Sequence, residues 1–228
     1  MNNISNKQKY ISYVLKLIVA ISAFTGTTLS YLAGRKTFMG GSRVFMYFTT
    51  QSNIAIAIIC LIGLVLFLKN KEISKLWYII KFVGTVSITL TGFVFCFVLA
   101  PTFGESAWNI QNVLTHVVVP IVSIIDFFVV SSAKSIEKIN VLFVTIPPIL
   151  YAIYAGIGYV KGWQFAEGYN YPYFFLNWGS KAGAFGFVNE LPFMGSAWWM
   201  LVLMVFLIVV GLCYLVIVDV ITKRINRR

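Results

Sequence analysis

Two residues with reactive side chains lie within otherwise apolar stretches of the sequence. Thr49 stands in FMYFTTQSNIAIA, and His116, the one histidine of the chain, stands in NIQNVLTHVVVPIVSIID. A hydroxyl and an imidazole that meet can work as nucleophile and general base, because the imidazole takes the hydroxyl proton as attack begins. The pair predicts chemistry on an acyl carbonyl, provided that the fold brings the two side chains together.

Amide and hydroxyl groups flank both residues. Ser52, Asn53 and Asn112 are candidates to donate hydrogen bonds to an oxyanion. Asn112 lies one turn before His116 on the same helix face, so it can orient the imidazole ring.

Structural roles for the same residues remain open. Thr49 can bond back to a carbonyl of its own helix, and a neutral His116 can simply bridge helices. The adjacent Thr50 also competes with Thr49 as the nucleophile.

Asp126 is a second ionisable residue in the apolar stretch that contains His116. It stands about 15 Å further along a helix, at about 1.5 Å per residue, so the two side chains cannot touch. Charged residues inside a bilayer need partners, and Lys16, Lys81 or a basic residue of the C-terminus can supply one. We therefore interpret Asp126 as a structural acid, with a role in proton-coupled transport as the alternative.

The elements that must position these residues are membrane-spanning helices. The chain has 228 residues, of which 59% are hydrophobic and 11% charged, and its mean hydropathy is +0.86. A helix needs about 20 apolar residues to cross a bilayer. Six stretches meet that length: 10–32, 44–68, 76–100, 109–130, 139–160 and 194–221. We predict an all-α integral membrane protein, a single transmembrane domain over residues 1–228.

Clusters of lysine and arginine in alternate connections predict that both termini are cytoplasmic. Arg35, Lys36 and Arg43 in the first outer connection weaken this orientation without reversing it. The second and fourth spans then run in the same direction, so Thr49 and His116 fall at a similar depth in the outer leaflet.

The connection 161–193 is the one long loop, and we predict that it lies on the outer side. It contains GYNYPYFFLNWG, in which Tyr171, Pro172 and Tyr173 are candidate substrate contacts. An interfacial aromatic belt without a role in recognition is the alternative interpretation.

The composition also excludes several classes of protein. One histidine and seven acidic residues are too few for a metal cluster, and the sequence contains no phosphate-binding loop, so we expect neither a metal nor a cofactor. The net charge of +11 lies in short clusters beside apolar stretches, which is typical of topology signals rather than of nucleic-acid binding.

Three segments, in this order, resemble a known family. YFTTQSNI, LTHVVVPIVSIID and YPYFFLNW together are similar to a bacterial branch of the androgen-induced and androgen-dependent membrane hydrolases. The resemblance implies a multi-pass threonine hydrolase of fatty acid esters, with Thr49 as nucleophile and His116 as base, and it matches Asp126 to an acidic position of the family.

The expected partner is therefore a membrane lipid or another acyl ester, in a bacterial cytoplasmic membrane. Hydrolysis and acyl transfer both remain open, because an acyl-threonine can be resolved by water or by an alcohol. A small-solute transporter and a non-catalytic scaffold are the alternative functions, and the sequence does not predict an oligomeric state.

Overall fold

The protein folds into α-helices, as the sequence predicts. The computed structural model describes residues 5–35, 41–70, 73–130 and 136–225. Within these ranges, six helices are long and apolar enough to cross a membrane: α1 Asn6–Gly34, α2 Phe48–Leu68, α3 Lys75–Ala107, α4 Ile110–Val130, α5 Lys138–Val160 and α6 Ser196–Arg224. The prediction of a multi-pass, all-α membrane protein is confirmed, and the side on which the termini lie stays a prediction.

The helices run alternately up and down, with two distinct ends to the bundle. At one end the start of α1 meets the end of α4, where the Gln8 side chain donates to the Val129 carbonyl. At the other end, residues 161–195 fold over the start of α2. We call the first the far end and the second the cap end. This order brings Thr49 and His116 into the same half of the bundle.

The helix starts carry side-chain caps where they face water. Ser5 and Gln8 form a reciprocal capping box at the start of α1, and the Ser74 hydroxyl accepts from the Trp77 amide at the start of α3. These contacts satisfy amide groups that have no partner within the helix. The start of α2 is different, because its N-cap residue Tyr47 makes no side-chain cap.

Two spans contain a π-helical turn. Residues Phe95–Leu99 of α3 and Leu114–Val118 of α4 form hydrogen bonds over five residues instead of four. Such turns occur often at functional sites, because they shift the side chains that precede and follow them. The turn in α4 contains His116, and the turn in α3 begins at Phe95.

The two π turns lie where α3 and α4 approach closely. A Cβ atom at Gly92 would lie 2.9 Å from the His116 carbonyl oxygen and 3.1 Å from the Pro120 ring. Only glycine fits this spacing without a shift of one helix. Gly92 therefore allows the backbone of α4 to pass directly against α3 beside the histidine.

The predicted end of the third span was wrong, whereas α5 and α6 begin within two residues of their predicted positions. Helix α3 continues to Ala107 rather than ending at residue 100, since a short helical segment and a 3-10 turn follow its π turn. Helix α6 begins at Ser196 rather than at 194, because Met194 pairs with Phe187 in an isolated bridge of the cap. Helix α5 begins with a 3-10 segment, Lys138–Thr145, ahead of Pro147 and Pro148.

Candidate functional site

Thr49 lies in the first turn of α2, against the cap. Its hydroxyl oxygen is 3.2 Å from the Tyr173 hydroxyl oxygen, and its amide donates to the same Tyr173 oxygen at 3.3 Å. The N-cap residue Tyr47 provides no side-chain acceptor for the first turn of α2, and Tyr173 accepts from the Thr49 amide instead. Burial raises the pKa of the Tyr173 hydroxyl, so it stays a protonated phenol and can donate as well as accept.

A cleft opens beside Thr49 between α2, α3, α5, α6 and the cap. The space is about 480 Å³ when the open mouth is counted, and its enclosed part has room for only a few waters. The polar side chains in its wall are Thr49, Thr91, Tyr151 and Tyr173, and the rest of the wall is apolar. Among the residues that the structure describes, no charged side chain borders the cleft, so the cleft suits a neutral or acyl group better than an ion.

The structure separates the two adjacent threonines. Thr49 borders the cleft, whereas Thr50 is buried and does not contribute to the cleft wall. Thr49 is therefore the threonine that a molecule in the cleft could contact.

His116 lies in the π turn of α4 with its ring held from one side. Its Nδ1 atom is 3.0 Å from the Asn112 carbonyl oxygen and 2.8 Å from the Thr115 hydroxyl. Because a carbonyl oxygen only accepts, Nδ1 carries the proton, and Nε2 is left as the acceptor nitrogen. The predicted orientation of the ring by Asn112 comes from its backbone carbonyl and not from its side chain, which donates to the Ala107 carbonyl.

Phe95 lies between His116 and the cleft. The two ring centroids are 3.8 Å apart, and Phe95 borders the cleft while His116 does not. Both Thr49 and His116 belong to the described part of the chain, and they do not hydrogen-bond each other there. The structure thus brings the predicted pair to one depth, with an aromatic ring between the histidine and the cleft.

Asn53 joins the helix turns that carry the two residues. Its side-chain nitrogen donates to the Thr49 carbonyl at 2.9 Å and to the Thr115 carbonyl at 3.1 Å. Asn53 is fully buried, and its side-chain oxygen has no partner. The amide thus fixes the spacing between α2 and the π turn of α4.

The predicted oxyanion donors all have other partners in this structure. The Ser52 hydroxyl is 2.7 Å from the Thr91 hydroxyl, and Asn53 and Asn112 bond to backbone carbonyls. The hydroxyl that lies nearest to Thr49 Oγ1 is instead that of Tyr173.

Of the three predicted loop contacts, only Tyr173 reaches the cleft. Tyr171 is half-buried and packs edge-on against Tyr169, and Pro172 is buried but does not border the cleft. Sequence reasoning missed Phe95, Thr91 and Tyr151. No sequence signal marked Phe95.

Asp126 lies far from this site, at the far end of the bundle. One carboxylate oxygen is 2.8 Å from Lys16 Nζ, and the other is 2.5 Å from Lys81 Nζ. Ser12 also donates to the carboxylate. Its partners are those that the sequence suggested, and they join α1, α3 and α4.

Among the described residues, no group of three or more histidine, cysteine, aspartate or glutamate side chains could hold a metal ion. Comparison with known proteins identifies no relative: no family model, no curated protein and no solved structure matches the chain.

Proposed function

We propose that this chain is a membrane-embedded hydrolase of lipid acyl esters, with Thr49 as nucleophile and His116 as general base. The observation that carries the proposal is the position of the Thr49 hydroxyl, which borders an apolar, uncharged cleft and pairs with the Tyr173 hydroxyl. The family resemblance of the three segments supports the same chemistry. The expected substrate is a neutral acyl ester of a bacterial cytoplasmic membrane.

The proposed reaction has two halves. Thr49 Oγ attacks the acyl carbonyl carbon while His116 Nε2 takes its proton, and the leaving alkoxide recovers that proton from the imidazolium as its bond to the acyl carbon breaks. Water then attacks the acyl-threonine, giving one proton to His116, which returns it to Thr49 Oγ as the fatty acid leaves. An alcohol in place of water would give acyl transfer.

Tyr173 is the proposed oxyanion donor. Its phenol is the hydroxyl nearest to Thr49 Oγ1, and it stays protonated because burial raises its pKa. When the substrate's carbonyl oxygen replaces the Tyr173 hydroxyl at the Thr49 amide, that amide and the Tyr173 hydroxyl can both donate to it. The helix dipole at the start of α2 also favours negative charge there.

Phe95 must turn for this reaction. Its ring separates His116 from the cleft, so rotation about its side-chain bonds exposes Nε2 to a bound ester.

A membrane scaffold is the second candidate, and the packing of His116 favours it. The ring is 8% exposed, stacked against Phe95 and hydrogen-bonded through Nδ1. A transport pathway has less support, since Val119 and Ser123 are fully buried on α4 in the region between His116 and Asp126.

Labelling with a lipophilic fluorophosphonate separates the two candidates. The purified protein in detergent is compared with Thr49→Val, Thr49→Ser, Thr50→Val and His116→Gln, and thermal unfolding checks that each variant is folded. The hydrolase predicts labelling of the wild type, Thr49→Ser and Thr50→Val, and its loss in Thr49→Val and His116→Gln. Thr50→Val is the matched control, because it makes the same change one residue away.

Two results would reject the hydrolase. One is a folded wild type that does not label. The other is equal labelling of the wild type and Thr49→Val. A folded His116→Gln variant that labels like the wild type would assign the histidine to helix packing.

A further inference from the structure

The far end of the bundle contains a buried excess of positive charge. Lys16 Nζ lies 2.8 and 3.0 Å from the two Asp126 oxygens, and Lys81 Nζ lies 2.5 Å from one of them. All three side chains are at most 4% exposed. Two ammonium groups therefore share one carboxylate.

The other carboxylates in the described ranges lie elsewhere. Three are paired at the surface, Glu137 with Lys75, Glu190 with Lys181 and Asp219 with Lys223. Glu105 and Glu167 are exposed on the cap side of the chain. A buried charge without a counter-charge costs several kcal/mol, so the pair of lysines calls for a second anion.

A small cavity opens onto both lysines. Its volume is about 280 Å³ when the open mouth is counted, but the enclosed part has room for about one water. Its wall includes Phe67 at the end of α2, Trp77 and Tyr78 at the start of α3, and Ile73 between the two helices. Lys16 Nζ also lies 4.8 Å from the centre of the Phe67 ring.

The position and lining of the cavity define its ligand. Its wall contains a tryptophan and a tyrosine, which are the residues enriched at the depth of lipid headgroups. Basic pockets between membrane helices bind the phosphates of anionic lipids. Because the enclosed part has room for about one water, a single anionic oxygen can enter beside the lysines, whereas an acyl chain cannot.

We propose that this cavity binds the phosphodiester group of an anionic phospholipid from the adjacent leaflet, with Lys16 and Lys81 as its counter-charges. The bound phosphate neutralises the ammonium group that Asp126 leaves unbalanced. The lipid thereby stabilises the junction of α1, α3 and α4, at the opposite end of the bundle from Thr49.

Thermal unfolding of the full chain in detergent tests the proposal. Phosphatidylglycerol, phosphatidylcholine and inorganic phosphate are added separately to the wild type, Lys16→Gln, Lys81→Gln and Lys69→Gln. Phosphatidylglycerol should raise the wild-type Tm by about 5 to 10 °C at saturation, and clearly more than phosphatidylcholine does. Lys69 is an exposed lysine at the same end, so Lys69→Gln should respond like the wild type.

The variants give the sharper result. Lys16→Gln and Lys81→Gln each leave one lysine for Asp126, so both should fold, and both should lose the specific response to phosphatidylglycerol. An unchanged response in both variants, or failure of both to fold, would overturn the proposal. An equal effect of inorganic phosphate would assign the site to a free anion instead of a lipid.

Glu72 precedes Ile73 in the sequence but lies outside the described residues. A response to phosphatidylglycerol that appears only in Glu72→Gln would mean that the chain supplies the second anion itself, and it would also overturn the proposal.

Discussion

The close approach of α3 and α4 at Gly92 predicts that Gly92→Ala destabilises the protein. The added Cβ would lie 2.9 Å from the His116 carbonyl oxygen and 3.1 Å from two atoms of the Pro120 ring. Neither neighbour is the flexible end of a side chain, so the helices must move apart. Overpacking of this kind costs about 1 to 3 kcal/mol, against a gain of about 1 kcal/mol from replacing glycine within a helix.

Gly156→Ala is the matched control, because its Cβ would meet a single atom, at 3.9 Å, on the Trp178 ring. This variant gains the stability that comes from replacing glycine within a helix and introduces no close contact. Its free energy of unfolding should therefore rise by up to about 1 kcal/mol. Thermal unfolding in one detergent should therefore give the order Gly156→Ala, wild type, Gly92→Ala. A Gly92→Ala variant as stable as Gly156→Ala would refute the close contact between α3 and the π turn of α4.

Three further predictions concern charged and polar partners. Asp126→Asn removes the carboxylate that two buried ammonium groups share, so it should lower the free energy of unfolding by about 3 to 5 kcal/mol. Asp219→Asn affects an exposed pair and should lower it by less than about 1 kcal/mol in the same denaturation experiment. Tyr173→Phe should slow fluorophosphonate labelling by about 100-fold without loss of folding, and an unchanged rate would contradict its role as oxyanion donor. Lys75 lowers the pKa of Glu137, so their exposed pair should break only when the pH falls below the usual pKa range of a glutamate. Because the pair is exposed, its loss should change the Tm little. A large fall in Tm at that pH, absent from Glu137→Gln, would contradict this expectation.

The helices could be predicted from the sequence because hydrocarbon allows few alternatives. Each apolar stretch must satisfy its backbone within itself, which fixes both the type and the number of the elements. The end of α3 was missed because Gly104 and Glu105 resemble a loop in sequence, although their backbone continues in a 3-10 turn.

The candidate site could be predicted only in part. The topology alone puts Thr49 and His116 at one depth, and charged residues that are rare in a bilayer must find each other, as Asp126 finds Lys16 and Lys81. The position of Phe95 could not be predicted, because it depends on a π turn that forms where two helices pack at Gly92.

The amide side chains show the same limit. Asn53 carries suitable donors for an oxyanion, but in the fold it joins the carbonyls of two helices. Which partner a polar group takes depends on the packing around it, and the sequence does not contain that information in a local pattern.

Mapping of a covalent adduct tests the central claim most directly. The wild-type protein is incubated in detergent with a 4-nitrophenyl ester of a fatty acid, and the reaction is quenched in acid. The protein is then digested and analysed by mass spectrometry. The account predicts one acylated peptide, with the added mass on Thr49 and none of it in His116→Gln. Acylation at Thr50 or Tyr173, or a folded protein without any acylated peptide, would contradict Thr49 as the nucleophile.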